Sequence, residues 1–181
     1  EKINFEISLA EVLRKSCMFY NSTIAIDLMK NASIIFSKHM MQTENGRTLN
    51  NIGSEYFYIG EFINAKQYLI KSYNEFNKIG EIFTDYPLNN IGALHLIKGD
   101  FKSALDNFTR AQGLCQDPSA YILITMNIAT TLRKMKRIDT AIRIMEDLEE
   151  KVLAYNEMYH TDIFYFNLAP HIHFLKSGAK I

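Results

Sequence analysis

The chain has no tryptophan, two cysteines, three prolines and, with 20 basic against 20 acidic side chains, no net charge. Each shortage excludes something. Cys17 and Cys115 cannot build a disulfide framework, and no Cys/His cluster has zinc spacing. Free thiols in a reducing, cytoplasmic setting are therefore expected. So few prolines, with only eight glycines, leave no collagen-like or linker-rich stretch. Balanced charge provides no global field toward nucleic acid or an anionic membrane, so any partner must be found by a local surface. The longest uncharged stretch, Pro118 to Leu132, includes Asn127 and is shorter than a membrane span requires. The first seventeen residues carry charges throughout and lack the basic start and apolar block of a signal peptide. The chain begins with Glu1 rather than Met, from which a fragment of a longer protein is expected. No phosphate-binding glycine loop, nucleophile elbow or metalloprotease motif is present, so neither catalysis nor a cofactor is expected.

What is there is helix. Hydrophobic residues make up 48% of the chain, enough for a core, and they recur at spacings of three and four with no sustained strand-like alternation. The expected class is all-α. Internal repetition is also visible: NNIG at 50–53, NNIG at 89–92 and MNIA at 126–129. Twelve residues after the last letter of each comes an alanine: Ala65, Ala104 and Ala141. Small residues at Gly53, Gly92 and Ala129 let one helix approach its successor, and the three alanines are the reciprocal small residues. Leu49, Ile52 and Tyr56 form the buried stripe of one first helix; Leu88, Ile91 and His95 form the next. Phe101, Ala104, Phe108 and Ala111 do the same for a second helix, with Asp100 as its N-cap.

This unit, closest at GDFKSALDNFTRA (99–111), resembles the tetratricopeptide repeat, in which a Leu-Gly pair, an aromatic, a Gly-Asp/Glu-aromatic turn and two alanines seven apart build a helix A and a helix B. Ala25 and Ala32 match those two alanines in an earlier copy, whose helix A is expected at 9–20. FNLAPHIHFL, 166–175, looks like a final helix A. The implied fold is a right-handed superhelix of antiparallel helix pairs in a single domain, 1–181, with repeats at about 6–44, 46–84, 85–121 and 122–161 and a terminal helix at 162–176. The period of roughly 40 residues exceeds the common one of about 34. It is similar to kinesin light chains, bacterial peptide-pheromone receptors and the sensor domains of bacterial transcription activators.

The resemblance implies a concave groove lined by helix A, at positions two, six, nine and thirteen of each repeat. These are Arg47, Asn51, Ser54 and Tyr58, then Tyr86, Asn90, Ala93 and Ile97, then Leu123, Asn127, Thr130 and Lys134. Asparagine recurs at position six, and Asn167 continues the series. An amide both donates and accepts, so such a ladder suits the backbone of an extended peptide; the plainer alternative is that asparagine fits a polar, half-exposed face. The expected function is a non-catalytic protein- or peptide-binding module, the sensor or scaffold part of a bacterial signalling or transcription regulator. A pheromone receptor whose ligand changes the superhelix curvature, or an oligomerisation scaffold, are the alternatives. No nucleic acid or membrane contact is expected.

Departures from the pattern carry expectations of their own. Leu13 stands where a small residue belongs, and Ser72 and Leu148 replace helix-B alanines. Lys136 and Arg137 replace Gly-Asp in one turn, which should change its geometry. His171 and His173, two apart on a helix, diverge and do not make a metal pair. The run Arg133, Lys134, Lys136, Arg137 reads as a solvated turn, and His95 as a packed residue with one nitrogen satisfied. Phe164, Leu168, Ile172 and Leu175 give the terminal helix an apolar stripe without a following helix B, from which self-association is expected.

Overall fold

The computed structural model describes residues 2–16, 18, 20–80 and 83–159, and among these there are eight helices and no strand. They are α1 (Lys2–Ser16), α2 (Ser22–Lys38), α3 (Gln42–Tyr58), α4 (Phe62–Asn77), α5 (Asp85–Ile97), α6 (Phe101–Leu114), α7 (Pro118–Lys134) and α8 (Ile138–Tyr159). The chain divides into two compact units, Glu1–Leu94 and His95–Ile181. The proposed terminal helix at 162–176, with its apolar stripe, Asn167 and the two histidines, lies outside the described residues. No described helix is long and apolar enough to cross a membrane.

Within the first unit, α1 packs on α2, α2 on α3 and α3 on α4. The core follows the alanine register. Ala25, Ile26 and Met29 close on Ile52, and Ala65 and Leu69 close on Ile91 and Leu94. Within the second unit, α6 packs on α7 and α7 on α8. Four residues after each register alanine stands a large buried side chain, Met29, Leu69, Phe108 or Met145, and three further on stands Ala32, Ser72, Ala111 or Leu148, also buried. Spacings of four and three keep such residues on one helical stripe.

Glycine is required where α3 meets α4. A Cβ at Gly53 would lie 2.7 Å from Leu69 Cγ, and one at Gly46 would lie 2.6 Å from the Phe76 ring. Overpacking of that kind costs about 1–3 kcal/mol. Ser72 departs from alanine for a visible reason: its buried hydroxyl donates to the Gly46 carbonyl at 2.7 Å. The first helix corrects the expectation of 9–20, since α1 runs from Lys2 to Ser16. Asn21 accepts from Ile24 N at 3.1 Å and so fixes the start of α2, leaving helix A to lie further upstream. Its buried small residue is Ala10, packed with Ala32 and Phe36, with Leu13 at the edge of that cluster.

The inter-helix turn at 135–137 also corrects an expectation, because it keeps the geometry of the glycine turns. Lys136 has φ 63°, beside 82° at Gly60, 77° at Gly99 and 53° at Met40. In all four the next N–H returns to a carbonyl five residues back: Met41 to Phe36, Glu61 to Tyr56, Asp100 to His95 and Arg137 to Leu132, at 2.8–2.9 Å. The helix-ending hydrogen bonds hold the left-handed conformation even without glycine. Lys136→Gly should therefore raise stability by about 0.5–1 kcal/mol in urea titrations, by relieving a strained φ.

Glu6 ties the start of α1 to the end of α2, accepting from Lys38 Nζ at 2.6 Å and lying 2.8 Å from His39 Nε2. The hydrogen bond from Lys38, then that from His39, holds its carboxyl at about 2 against an ordinary 4.5. A depressed carboxylate contributes stability that is fully present above its unfolded pKa and is lost as pH falls through its folded one. Glu6→Gln should make thermal stability fall less steeply between about pH 4.5 and 2, as followed by circular dichroism melts.

Candidate functional site

In the first unit, α1, α3 and α5 are the helix-A elements, and their side chains line a pocket of about 230 Å3. Its walls are Arg14 from α1, Arg47, Asn50 and Asn51 from α3, and Tyr86 from α5, over the Phe76 ring of α4. Three of these, Arg47, Asn51 and Tyr86, are groove positions expected from the repeat register. Arg14, Asn50 and Phe76 are additions. Arg14 had a signal: it falls at position nine of the first copy, the register of Ser54 one repeat on.

Aromatic packing holds the pocket open. Phe83, with φ 69°, places its ring 5.8 Å from Phe76 and stacks on Tyr86 at 6.4 Å. Such a φ is uncommon for an aromatic residue and persists only where neighbours fix it. Arg47 lies over the same Phe83 ring, its guanidinium carbon 4.7 Å from the centroid. Arg14 is steered by Glu11 at 2.7 Å. No acidic residue is among the described lining residues, so two guanidinium forks and two amides face a small space. That chemistry suits a carboxylate.

The asparagines of the expected ladder do not share one environment. Asn90 spends its amide donor inside the fold, on Asn50 Oδ1 at 3.0 Å and Ser54 Oγ at 3.1 Å. Ser54 Oγ in turn donates to the Asn50 carbonyl at 3.1 Å. Asn51 has no side-chain hydrogen-bond partner among the described residues and lines the pocket. Tyr58, 83% exposed, stands at the far end of α3.

In the second unit, Asn127 is half-buried on α7 and its carbonyl accepts from Thr131 Oγ1 at 2.7 Å. Thr130 is half-buried, and Leu123, Lys134 and, on α5, Ile97 are exposed. His95 Nδ1 lies 3.0 Å from Asp100 Oδ2, while Asp100 Oδ1 caps α6 through Ser103 N at 3.2 Å. The Ser103 hydroxyl and N–H, with His95 after them, lower the Asp100 pKa. His95 thus fastens a turn. Lys134, Lys136 and Arg137 are exposed around the α7–α8 turn. Among the described residues no three His, Cys, Asp or Glu side chains gather as metal ligands would.

The two kinds of asparagine should separate by measurement. Asn90→Ala removes internal hydrogen bonds to two partners and should cost about 1–2 kcal/mol in urea unfolding. Asn51→Ala, with no internal bond to lose, should leave stability within about 0.5 kcal/mol of the parent.

Residues 46–74, the α3–α4 pair, match the family model for the tetratricopeptide repeat. No curated protein sequence matches the chain. Among solved structures, BtubC (BKLC) from P. vanneervenii superimposes with a TM-score of 0.72 at 17% identity, covering 82% of this chain. This chain spans 65% of that one. A putative kinesin light chain with nearly identical TPR-like repeats, from Podosopora anserina, gives a TM-score of 0.61 at 10% identity, covering 95% of each chain. A variant form of that protein gives 0.64 at 11% identity, covering 99% of this chain and 98% of that one. Identities this low speak for the fold: an all-α superhelix of helical repeats. The repeat matched at α3–α4 is similar to the tetratricopeptide repeat, and the superimposed structures share the fold of this chain.

Proposed function

We infer that this chain is a non-catalytic protein-interaction module that binds an extended segment of a partner along its helix-A face, with a carboxylate of that segment in the pocket of the first unit. The observation that carries the reading is the pocket itself: Arg14, Arg47 and Asn51 converge over Phe76 with no acidic residue among the described lining residues. Guanidinium groups bind carboxylates in planar, paired hydrogen bonds, and the Asn51 amide adds a donor and an acceptor suited to a peptide backbone. Tyr86, stacked on Phe83, supplies a rigid wall against which a neighbouring side chain packs. Ser54 and Asn90 shape this face from within, and Tyr58, Ile97, Asn127, Thr130 and Lys134 are the further contacts proposed along the helix-A positions. The long repeat period, similar to that of bacterial regulators, supports a setting as the cytoplasmic sensor or scaffold part of a signalling or transcription regulator.

Phage-displayed peptides selected on the full chain provide the test. Selected sequences should share an acidic side chain or a free C-terminus. In calorimetry, Arg47→Ala should weaken their binding about tenfold or more and Asn51→Ala about twofold to tenfold. Tyr86→Ala should change which peptides are selected. If all three variants bind as the parent does, with their melting unchanged, the helix-A face is not the binding surface.

A further inference from the structure

The opposite face of the first unit carries a second, chemically different cleft. It runs between the helix-B elements α2 and α4, with α3 as its floor, and encloses about 560 Å3. Leu49 and Ile52 of α3 form an apolar base, and Ile34 of α2, 67% exposed, stands at the rim. Two ammonium groups flank it. Lys71 of α4 has its Nζ 4.8 Å from the Tyr68 ring centroid and no carboxylate partner among the described residues. Lys30 of α2 has its Nζ 5.6 Å from the Tyr56 ring, and its nearest carboxylate, Asp27, is 3.7 Å away and exposed. Tyr56 and Tyr68 stack at 5.4 Å, so both cations rest on one aromatic pair. The one acidic residue among the described lining residues, Glu75, is paired with Lys78 at 2.5 Å.

A buried polar group completes the cleft. Asn45, one of its lining residues, is only 5% exposed. Its Oδ1 accepts from Ser33 Oγ at 2.6 Å, and its Nδ2 has no hydrogen-bond partner among the described residues. This Nδ2 is therefore a donor left for an oxygen entering the cleft.

We propose that the α2–α4 cleft is a second binding site for an acidic peptide segment, whose carboxylates pair with Lys30 and Lys71, whose oxygen accepts from Asn45 and whose apolar side chain lies on Leu49 and Ile52. Charge complementarity sets the sign of the ligand. The exposed Ile34 at the rim sets its kind, because an inorganic anion would leave that side chain in water. The elongation of the cleft agrees: its α2 wall runs from Lys30 to Ser37, about two turns of helix. This site is independent of the helix-A pocket, and the two stand or fall separately.

The test uses the full chain, isotopically labelled for NMR, titrated to millimolar concentration with an end-capped peptide of alternating Asp and Leu. Expected are shifts at Lys30, Asn45 and Lys71 and their neighbours, with none around Asn51. The same peptide with Asn in place of Asp, and inorganic phosphate, should leave those signals unmoved. The double variant Lys30→Gln with Lys71→Gln should weaken binding at least about fivefold, and Ile34→Glu should abolish it by placing a carboxylate at the rim. Thermal melts of both keep lost binding apart from lost folding, Ile34 and Lys71 being exposed and Lys30 half-buried against Tyr56. Absence of shifts at millimolar peptide, shifts confined to the helix-A face, equal binding of the Asn peptide or of phosphate, or unchanged affinity in the double variant would each overturn the proposal.

Discussion

The first unit depends on how closely α3 approaches α4. Gly53 and Gly46 bring the two backbones together against Leu69 and Phe76, leaving no room for a methyl group at either position. That spacing sinks α3 between its neighbours and divides its side chains among three surroundings. Leu49 and Ile52 go to the core, Arg47 and Asn51 to the helix-A face, and Asn45 to the cleft on the other side. A helix held at a greater distance would expose its apolar stripe and lose definition on both faces. The same contacts make Phe76 the floor of the helix-A pocket, so a packing requirement also places a candidate functional surface.

Polar side chains then fix how neighbouring helices are seated, a task apolar packing alone performs loosely. Ser72 bonds the Gly46 carbonyl, Ser33 bonds Asn45, and Asn90 bridges Asn50 and Ser54 within the first unit; Gln112 donates to Thr125 at 2.7 Å within the second. Each such bond is modest in net energy, yet a slipped helix would bury its members unpaired, which costs more than the bond is worth. The abundance of asparagine in the chain is explained in part by this use, apart from any ligand.

The helix pairs were legible because small residues recurring at a fixed spacing leave few other physical readings. Ala65, Ala104 and Ala141 announce close contacts wherever they fall. The turns were less legible: Lys136 and Met40 take a left-handed φ because the returning hydrogen bonds demand it, and nothing in either side chain signals this. The asparagines show a different limit. Asn51 and Asn90 share a register, but Asn90 lies within reach of Asn50 and Ser54 while Asn51 lines an open pocket, and identity at a repeat position does not reveal what stands opposite. Arg14 was readable from the register once the first copy was included. Asn45 and the lysine pair were not, because their convergence depends on α2 and α4 flanking α3.

Zero net charge is thus compatible with local grouping of like charges. Arg14 and Arg47 gather on one face and Lys30 and Lys71 on the other, with Glu11 beside Arg14 and Asp27 beside Lys30. Both faces share α3, which raises the question of whether occupancy of one changes the other. Coupling requires an element with two arrangements that the two ligands favour differently. α3 offers no second arrangement of comparable packing: a rotation that carried Gly46 or Gly53 away from α4 would drive a neighbouring side chain into Phe76 or Leu69. A partner engaging both proposed surfaces would then gain by the joint tethering of its two segments.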